Sequence, residues 1–171
     1  MVNYLIKMYK KHILEIGCGE KKTIEGSIGL DIRKTDVVDV IADGRQLPFS
    51  NDYFDHVFSS HVIEHFSHRE INNVLQEWVR VIKPGGIIEI RCPDLQARSL
   101  LFFLHPNRQD IKNIYGDQNY PENTHKCGFS YGLLRKYLEE ASVVNVKRIM
   151  KGYMGIPFLP DCLHVKGIKQ S

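Results

Sequence analysis

Several features that mark other protein classes are missing from this sequence of 171 residues. The four cysteines form no C-x-x-C pair, which argues against a zinc ribbon or a disulfide framework and for reduced thiols. No stretch approaches the roughly 20 consecutive apolar residues that a membrane-spanning helix needs. The first twelve residues carry their basic side chains after the apolar ones, the reverse of a secretory signal. We therefore expect a cytoplasmic protein without a membrane partner.

A concentrated basic surface is also missing. Lys and Arg side chains are scattered along the chain, and the formal net charge is only +3. Because binding to nucleic acid requires a clustered basic face, we expect no nucleic-acid partner. The apolar fraction of 43% is ordinary for a globular protein, and the length fits one domain, residues 1–171.

Short apolar runs alternate with segments of helical periodicity. Ser67 and Glu70 match a capping box, and apolar residues at helical spacing follow as far as Ile82. A second helix is predicted over 95–105 and a third after Ser130, whereas 107–129 is rich in Asn, Gly and Asp and is predicted to be a loop. Strands are predicted at 13–16, 27–32, 37–43, 53–63, 87–93, 143–150 and 162–169.

Strands that alternate with helices indicate an α/β fold with a mostly parallel sheet. In such sheets, ligands bind outside the carboxyl ends of the strands. Gly17, Asp31, Asp43, Ser60 and Pro93 all fall at predicted carboxyl ends, so the pattern predicts one site across five strand ends.

The glycine turn after the first strand indicates a nucleoside ligand. Gly17 and Gly19 allow a close approach of ligand to backbone, and Asp31, twelve residues after Gly19, is placed to accept from two ribose hydroxyls. A dinucleotide site would add a third glycine and open a helix. Here only seven residues, 20–26, join the predicted strands, which disfavours a nicotinamide oxidoreductase and favours a nucleoside without a diphosphate.

Six phrases in order resemble those of class I S-adenosylmethionine-dependent methyltransferases, in particular a compact group of type 11-like enzymes. They are "EIGCG" (15–19), "GLDI" (29–32), "ADGRQLPF" (42–49), "FDHVFSSHVIEHF" (54–66), "EWVRVIKPGG" (77–86) and "HKCGF" (125–129). The resemblance implies a Rossmann-like, mostly parallel seven-stranded sheet with helices on both faces and an antiparallel final strand.

The same resemblance implies S-adenosyl-L-methionine as cofactor, with S-adenosyl-L-homocysteine as product. Asp31 corresponds to the ribose carboxylate and Asp43 to the acidic residue that reads the adenine edge. The implied cofactor-binding set is Glu15, Gly17, Cys18, Gly19, Asp31, Ile32, Asp43, Gly44, Leu47, Ser60 and His61.

Two histidines are candidates for catalysis. The resemblance implies that His61 lies beside the transferred methyl group, and His125 belongs to the "HK" phrase of the long loop. Histidine is a suitable base near neutral pH. His61 and His65 share the i, i+4 spacing of a helix face, as do Glu64 and His68. A metal site needs a convergent ligand set, however, and we expect none here.

The predicted reaction is methyl transfer to an oxygen or nitrogen of a small-molecule or sugar-type acceptor. The fourth strand is followed by Ser59-Ser60-His61-Val62 instead of the Asp/Asn-Pro-Pro-Tyr/Phe motif of enzymes that methylate bases of nucleic acids. We expect the segment 95–129, or a second subunit of a homodimer, to cover the acceptor. The alternative is a cofactor-binding subunit without activity of its own, which the shortened first helix and the missing N-terminal cap motivate.

Overall fold

The computed structural model describes residues 11–149 and 162–171. Its strands are β1 (Ile13–Ile16), β2 (Ile28–Asp31), β3 (Val40–Ile41), β4 (Phe54–Ser60), β5 (Ile82–Pro93), β6 (Val143–Arg148) and β7 (Cys162–Lys169). Its α-helices are α1 (Ile71–Arg80), α2 (Leu95–Leu104), α3 (Arg108–Tyr115) and α4 (Tyr131–Glu140). The predicted connection 151–161 between the last two strands lies outside the described residues.

The seven strands form one sheet in the order β3-β2-β1-β4-β5-β7-β6. Strands β1 to β5 are mutually parallel, and β7 is antiparallel to both of its neighbours. The predicted fold class, including the antiparallel final strand, is confirmed. The chain reverses its strand order at β1 and β4, and this switch point places a ligand cleft at their carboxyl ends.

Alternation along the central strands separates an apolar face from a polar one. In β5, Ile88, Ile90 and Cys92 are fully buried, and they face the layer formed by α1 and α4. Trp78 of α1 is completely buried in the same core. Glu89 and Arg91 point to the opposite face because successive side chains of a strand alternate.

The connection between β1 and β2 is irregular and contains no helix, so the shortened first helix expected from the sequence is not formed. Glu15 organises this connection from inside: its carboxylate accepts hydrogen bonds from the backbone N–H groups of Thr23 (2.7 Å) and Ile24 (3.0 Å) and from the Ser27 hydroxyl (3.2 Å). The buried carboxylate thus substitutes for the internal hydrogen bonds of a helix.

Several predicted boundaries are wrong. The third strand has only two residues, and the fourth ends at Ser60, after which residues 63–65 form a 3₁₀ turn. The predicted loop 107–129 contains α3, which begins where Asn107 Oδ1 accepts from the backbone N–H of Asp110 at 3.0 Å and ends at Gly116, with φ of +84°. An asparagine N-cap and a glycine stop are the helix signals that the loop-like composition concealed.

None of the helices in the described ranges is long and apolar enough to span a membrane.

Candidate active site

The turn after β1 packs closely against Val62 and β2 at the switch point. Gly17 has φ of +70°, and a Cβ at this position would lie 2.1 Å from Cγ2 of Val62. Its N–H donates to the carbonyl of Leu30 at 2.7 Å, which fixes the turn against β2. Only glycine combines this φ with this contact, so the first glycine of the motif is required by the packing.

Asp31, at the end of β2, is buried and held by two backbone donors. Its Oδ2 accepts from the N–H of Gly19 at 2.9 Å, and its Oδ1 accepts from the N–H of Arg33 at 2.9 Å. An ionised carboxylate has about four acceptor positions, so two remain for hydroxyl donors of a ligand. The glycine turn and the carboxylate therefore form one preorganised unit.

A second acidic residue follows β3. Asp43 accepts from the backbone N–H of Arg45 at 2.9 Å and forms an ion pair with its guanidinium, while Arg45 also contacts Glu70. The carbonyl of the adjacent Gly44 accepts from Nε1 of Trp78 at 2.9 Å. The core tryptophan thereby fixes the backbone beside the cleft.

These elements line a cleft of about 180 Å³. Most of the predicted cofactor residues lie in its wall, namely Gly17, Gly19, Asp31, Ile32, Asp43, Gly44 and His61. Ile32, which directly follows β2, is half-exposed there, at 51% of its surface, although the last three residues of β2 are buried. An exposed apolar side chain beside two carboxylates is a suitable surface for a heteroaromatic base.

Four residues of the predicted set do not line the cleft. Glu15 is engaged in the β1–β2 connection, and Leu47 is part of the hydrophobic core. Cys18 is buried, and burial together with Asp31 and Glu15 raises the pKa of its thiol to about 11. Ser60 is also absent from the wall. The structure therefore gives Glu15, Cys18 and Leu47 supporting positions.

The sequence interpretation missed cleft residues that come from the 95–129 segment. Tyr120 and Lys126 line the cleft, and the guanidinium of Arg33 lies 4.8 Å from the centre of the Tyr120 ring. This cation–π contact links the segment to the end of β2. Tyr120 has no local signal and Lys126 belongs to the "HK" phrase, but both reach the cleft only through the long excursion after β5.

A second cavity of about 350 Å³ adjoins the first. The two cavities share His61, His65 and Tyr120 in their walls. The remaining wall of the second cavity is mostly polar and comes largely from α2, α3 and the residues that follow: Pro93, Arg98, Gln109, Lys112, Asn113, Gly116, Asp117, Asn123 and His125.

Backbone hydrogen bonds hold the segment 95–129 in two places, beside β5 and beside Glu64. The N–H of Leu95 donates to the carbonyl of Phe129 at 2.9 Å, which closes the excursion beside β5. The N–H groups of Lys126 and Cys127 donate to the carbonyl of Glu64 at 2.8 and 3.1 Å. The "HK" phrase is thus anchored on the 3₁₀ turn that follows β4.

His61 occupies a left-handed backbone conformation with φ of +56°, which is uncommon outside glycine and is often found at functional sites. Its Nε2 lies 3.9 Å from Sγ of Cys162, and its Nδ1 lies 3.3 Å from Oε1 of Glu64. The contacts with Cys162 and Glu64 raise the pKa of His61 to about 10. At neutral pH the imidazole is therefore a cation and a hydrogen-bond donor.

His125 has the opposite character. Its side chain is largely buried, and burial lowers its pKa below the ordinary value for histidine. Its Nδ1 lies 3.2 Å from the carbonyl oxygen of Ile114, and its Nε2 lies 4.0 Å from Oε1 of Glu64. At neutral pH His125 is therefore uncharged, as a base requires.

Comparison with known proteins agrees with this geometry. Residues 14–90 match a family model described as a methyltransferase domain. Over 136 residues the chain is 26% identical to a human protein named probable tRNA methyltransferase 9B; the match covers 68% of this chain and 30% of that protein. The chain thus spans less than a third of the length of this curated relative.

Solved structures share the fold at low sequence identity. A Thermotoga maritima S-adenosylmethionine-dependent methyltransferase, described as a possible histamine N-methyltransferase, is 18% identical with a TM-score of 0.66, over 96% of this chain and 86% of that one. The methyltransferase in the complex with the Haloferax volcanii Trm112 activator is 18% identical with a TM-score of 0.60, over 94% of this chain and 83% of that one.

The sheet order and the cleft at the switch point are those of the class I methyltransferase fold, and residues 14–90 match the methyltransferase-domain family. The class I methyltransferase fold that the sequence motifs predict is therefore confirmed.

Proposed function

We propose that this protein binds S-adenosylmethionine in the cleft of Gly17 and Asp31 and transfers its methyl group to an oxygen or nitrogen of a small polar acceptor, such as a sugar. The observation that carries the proposal is the wall of His61, His65 and Tyr120 that the two cavities share. A methyl donor in the first cavity and a methyl acceptor in the second would meet at this shared wall.

The cleft suits a nucleoside without a diphosphate. Two acceptor positions of Asp31 are available for ribose hydroxyls, and the half-exposed Ile32 would contact the adenine. No helix follows the glycine turn, so the donors that a helix N-terminus offers to a pyrophosphate are missing from this connection. This favours S-adenosylmethionine over a dinucleotide.

The acceptor cavity suits a polar molecule. Its wall combines amides, two basic side chains and an aspartate, namely Arg98, Gln109, Lys112, Asn113, Asp117 and Asn123. Side chains that both donate and accept are suited to hydroxyl-rich ligands. The segment 95–129 would enclose this acceptor, because most of the wall belongs to it.

The methyl group of a sulfonium is already activated, so the protein's main contribution would be to align acceptor, methyl carbon and sulfur, which can supply roughly 7–11 kcal/mol. Of the two predicted catalytic histidines, neutral His125 would act as the base and take the proton from the hydroxyl or amino group that is methylated. His61, which is protonated at neutral pH, would orient the acceptor as a donor.

The first test is calorimetric titration with S-adenosylmethionine and S-adenosylhomocysteine, with NAD as a negative control. Asp31→Ala should weaken binding by about 1.5–3 kcal/mol, the contribution of hydrogen bonds to a charged group. Asp36→Ala is the matched control, because Asp36 is exposed and lies outside the cleft. Unchanged affinity in Asp31→Ala would refute the ribose assignment.

The acceptor is tested by following S-adenosylhomocysteine formation with sugars, small amines and bulk tRNA. His125→Ala should retain cofactor affinity and lose turnover, whereas equal turnover would return His125 to a structural role. The similarity to a methyltransferase solved with an activator supports a second candidate, a subunit that needs a partner. Cofactor binding without turnover on any acceptor would favour that candidate.

A further inference from the structure

Glu64 is a buried carboxylate that lacks hydrogen-bonding partners. Its relative exposure is 1%, and neither carboxylate oxygen accepts a hydrogen bond from any described residue. His61 Nδ1 approaches Oε1 to 3.3 Å but without hydrogen-bonding geometry. His61, a cation beside the carboxylate, supplies no hydrogen bond to it, so both buried oxygens of Glu64 remain open to a ligand that binds carboxylate oxygens.

Two histidines next to Glu64 are oriented alike. Nδ1 of His65 lies 3.1 Å from the carbonyl oxygen of Thr124, and Nδ1 of His125 lies 3.2 Å from that of Ile114. A carbonyl oxygen only accepts, so each Nδ1 carries the proton. Each Nε2 therefore keeps its lone pair, which is the arrangement found when a backbone carbonyl fixes a metal-binding histidine.

The three side chains converge on one point. A carboxylate oxygen of Glu64 and one ring nitrogen each of His65 and His125 lie within 4.8 Å of one another. We propose that Glu64, His65 and His125 bind one divalent transition-metal ion, which would be held on the wall between the cofactor cleft and the acceptor cavity.

The ligand set defines the class of ion. Two imidazoles and one carboxylate bind Zn²⁺ in catalytic sites and Fe²⁺ in open facial sites, and both leave coordination positions for water or substrate. Ligand distances of about 2.1 Å in tetrahedral geometry place donor atoms roughly 3.4 Å apart. Oε1 of Glu64 and Nε2 of His125 are 4.0 Å apart, so small side-chain rotations would close the site.

The open positions would face the acceptor, since both histidines line the acceptor cavity. The position of the ion rests only on the three ligands, whereas its role in binding the acceptor rests on the proposed function. In the metal-loaded protein the ion would occupy the lone pair of His125. It would then lower the pKa of a coordinated hydroxyl group of the acceptor, whose proton would pass to solvent before methyl transfer.

This site departs from the sequence-based expectation of no metal. In the sequence, His61, Glu64 and His65 are candidate ligands on one short segment, which is too few for a metal site. The third proposed ligand, His125, lies 60 residues beyond His65. The hydrogen bonds from Lys126 and Cys127 to the carbonyl of Glu64 bring that ligand into place, and the sequence pattern does not show them.

The test is a titration of chelator-treated protein with Zn²⁺, without cofactor or acceptor, followed by calorimetry and by the absorption spectrum of the Co²⁺ form. We expect one equivalent to bind. Loss of a supporting partner weakens a metal site by about 10–100-fold, so Glu64→Gln and His125→Ala should each weaken binding by about 100-fold or more.

His105→Ala is the matched control, because His105 is exposed at the end of α2 and outside the cluster; its affinity should equal that of the unchanged protein. Circular dichroism would verify that Glu64→Gln, which preserves side-chain shape, is folded. No saturable binding, equal binding in the Glu64→Gln and His125→Ala variants, or a thiolate-to-cobalt charge-transfer band would each overturn the proposal. Failure of methyl transfer alone would leave this binding result unaffected and would refute only the proposed function.

Discussion

Two glutamates of this protein lie beside histidines, and they differ in whether those histidines satisfy them. Oε1 of Glu89 on β5 is hydrogen-bonded to Nε2 of His164 at 2.6 Å, and Oε2 is 3.3 Å from Nε2 of His56, which has no hydrogen-bond partner among the described residues. Contacts with His56 and His164 lower the pKa of Glu89 to about 2. Glu64, more deeply buried, has histidine neighbours, but its carboxylate accepts no hydrogen bond from the described residues.

The two carboxylates differ in role: Glu89 supports the fold, whereas Glu64 belongs to the site. Glu89 and its histidines join three adjacent strands, β4, β5 and β7, so this cluster stabilises the sheet. Glu64 lies beyond the end of β4, and its neighbours His65 and His125 donate their Nδ1 protons to backbone carbonyls instead of to its carboxylate. The Glu89 carboxylate has a hydrogen-bonded histidine, whereas the Glu64 carboxylate has no hydrogen-bond donor among the described residues and is open to a ligand.

The same substitution should have different effects at the two positions. Glu89→Met removes the acceptor of His164 and leaves a half-paired polar group inside the sheet. We expect the free energy of unfolding at pH 7 to fall by about 1.5–3 kcal/mol, measured by urea denaturation. Stability equal to that of the unchanged protein would mean that the Glu89 cluster does not support the sheet.

The contribution of Glu89 should also depend on pH. Its pKa of about 2 in the folded protein lies below the ordinary value of 4.5. The stabilisation is therefore fully present above about pH 4.5 and is lost as pH falls towards 2. We expect the stability difference between the unchanged protein and Glu89→Met to shrink progressively below pH 4.5 in denaturation curves. A constant difference down to pH 3 would contradict the lowered pKa.

The smallest change is expected for Glu64→Met. Replacement of an unsatisfied buried charge by an apolar side chain of similar volume is often neutral or stabilising. In metal-free protein we expect the free energy of unfolding to be unchanged or to rise by about 1 kcal/mol, although Zn²⁺ binding should be lost. A loss of stability as large as that of Glu89→Met would show that Glu64 is satisfied in solution and would remove the contrast.

The strand and helix pattern was predictable because the chain's signals for these elements are local. The glycine turn, the carboxylate at the end of β2 and the Trp78 helix occur where the sequence predicts them, whereas Lys83 and Pro84, predicted to turn the chain, lie inside β5. Asn107 and Gly116 also carried local helix signals, but the polar composition of their surroundings hid α3.

The sequence by itself determined the sheet, its switch point and the chemistry at the ends of β1 and β2, since alternation, glycine and a buried carboxylate each act within a few residues. Only the tertiary structure decided which predicted residues face the cleft and which support it, as with Glu15 and Cys18. It also decided what meets Glu64. The segment after β5 returns over the site and is fixed there by backbone hydrogen bonds, which any sequence of non-proline residues can form.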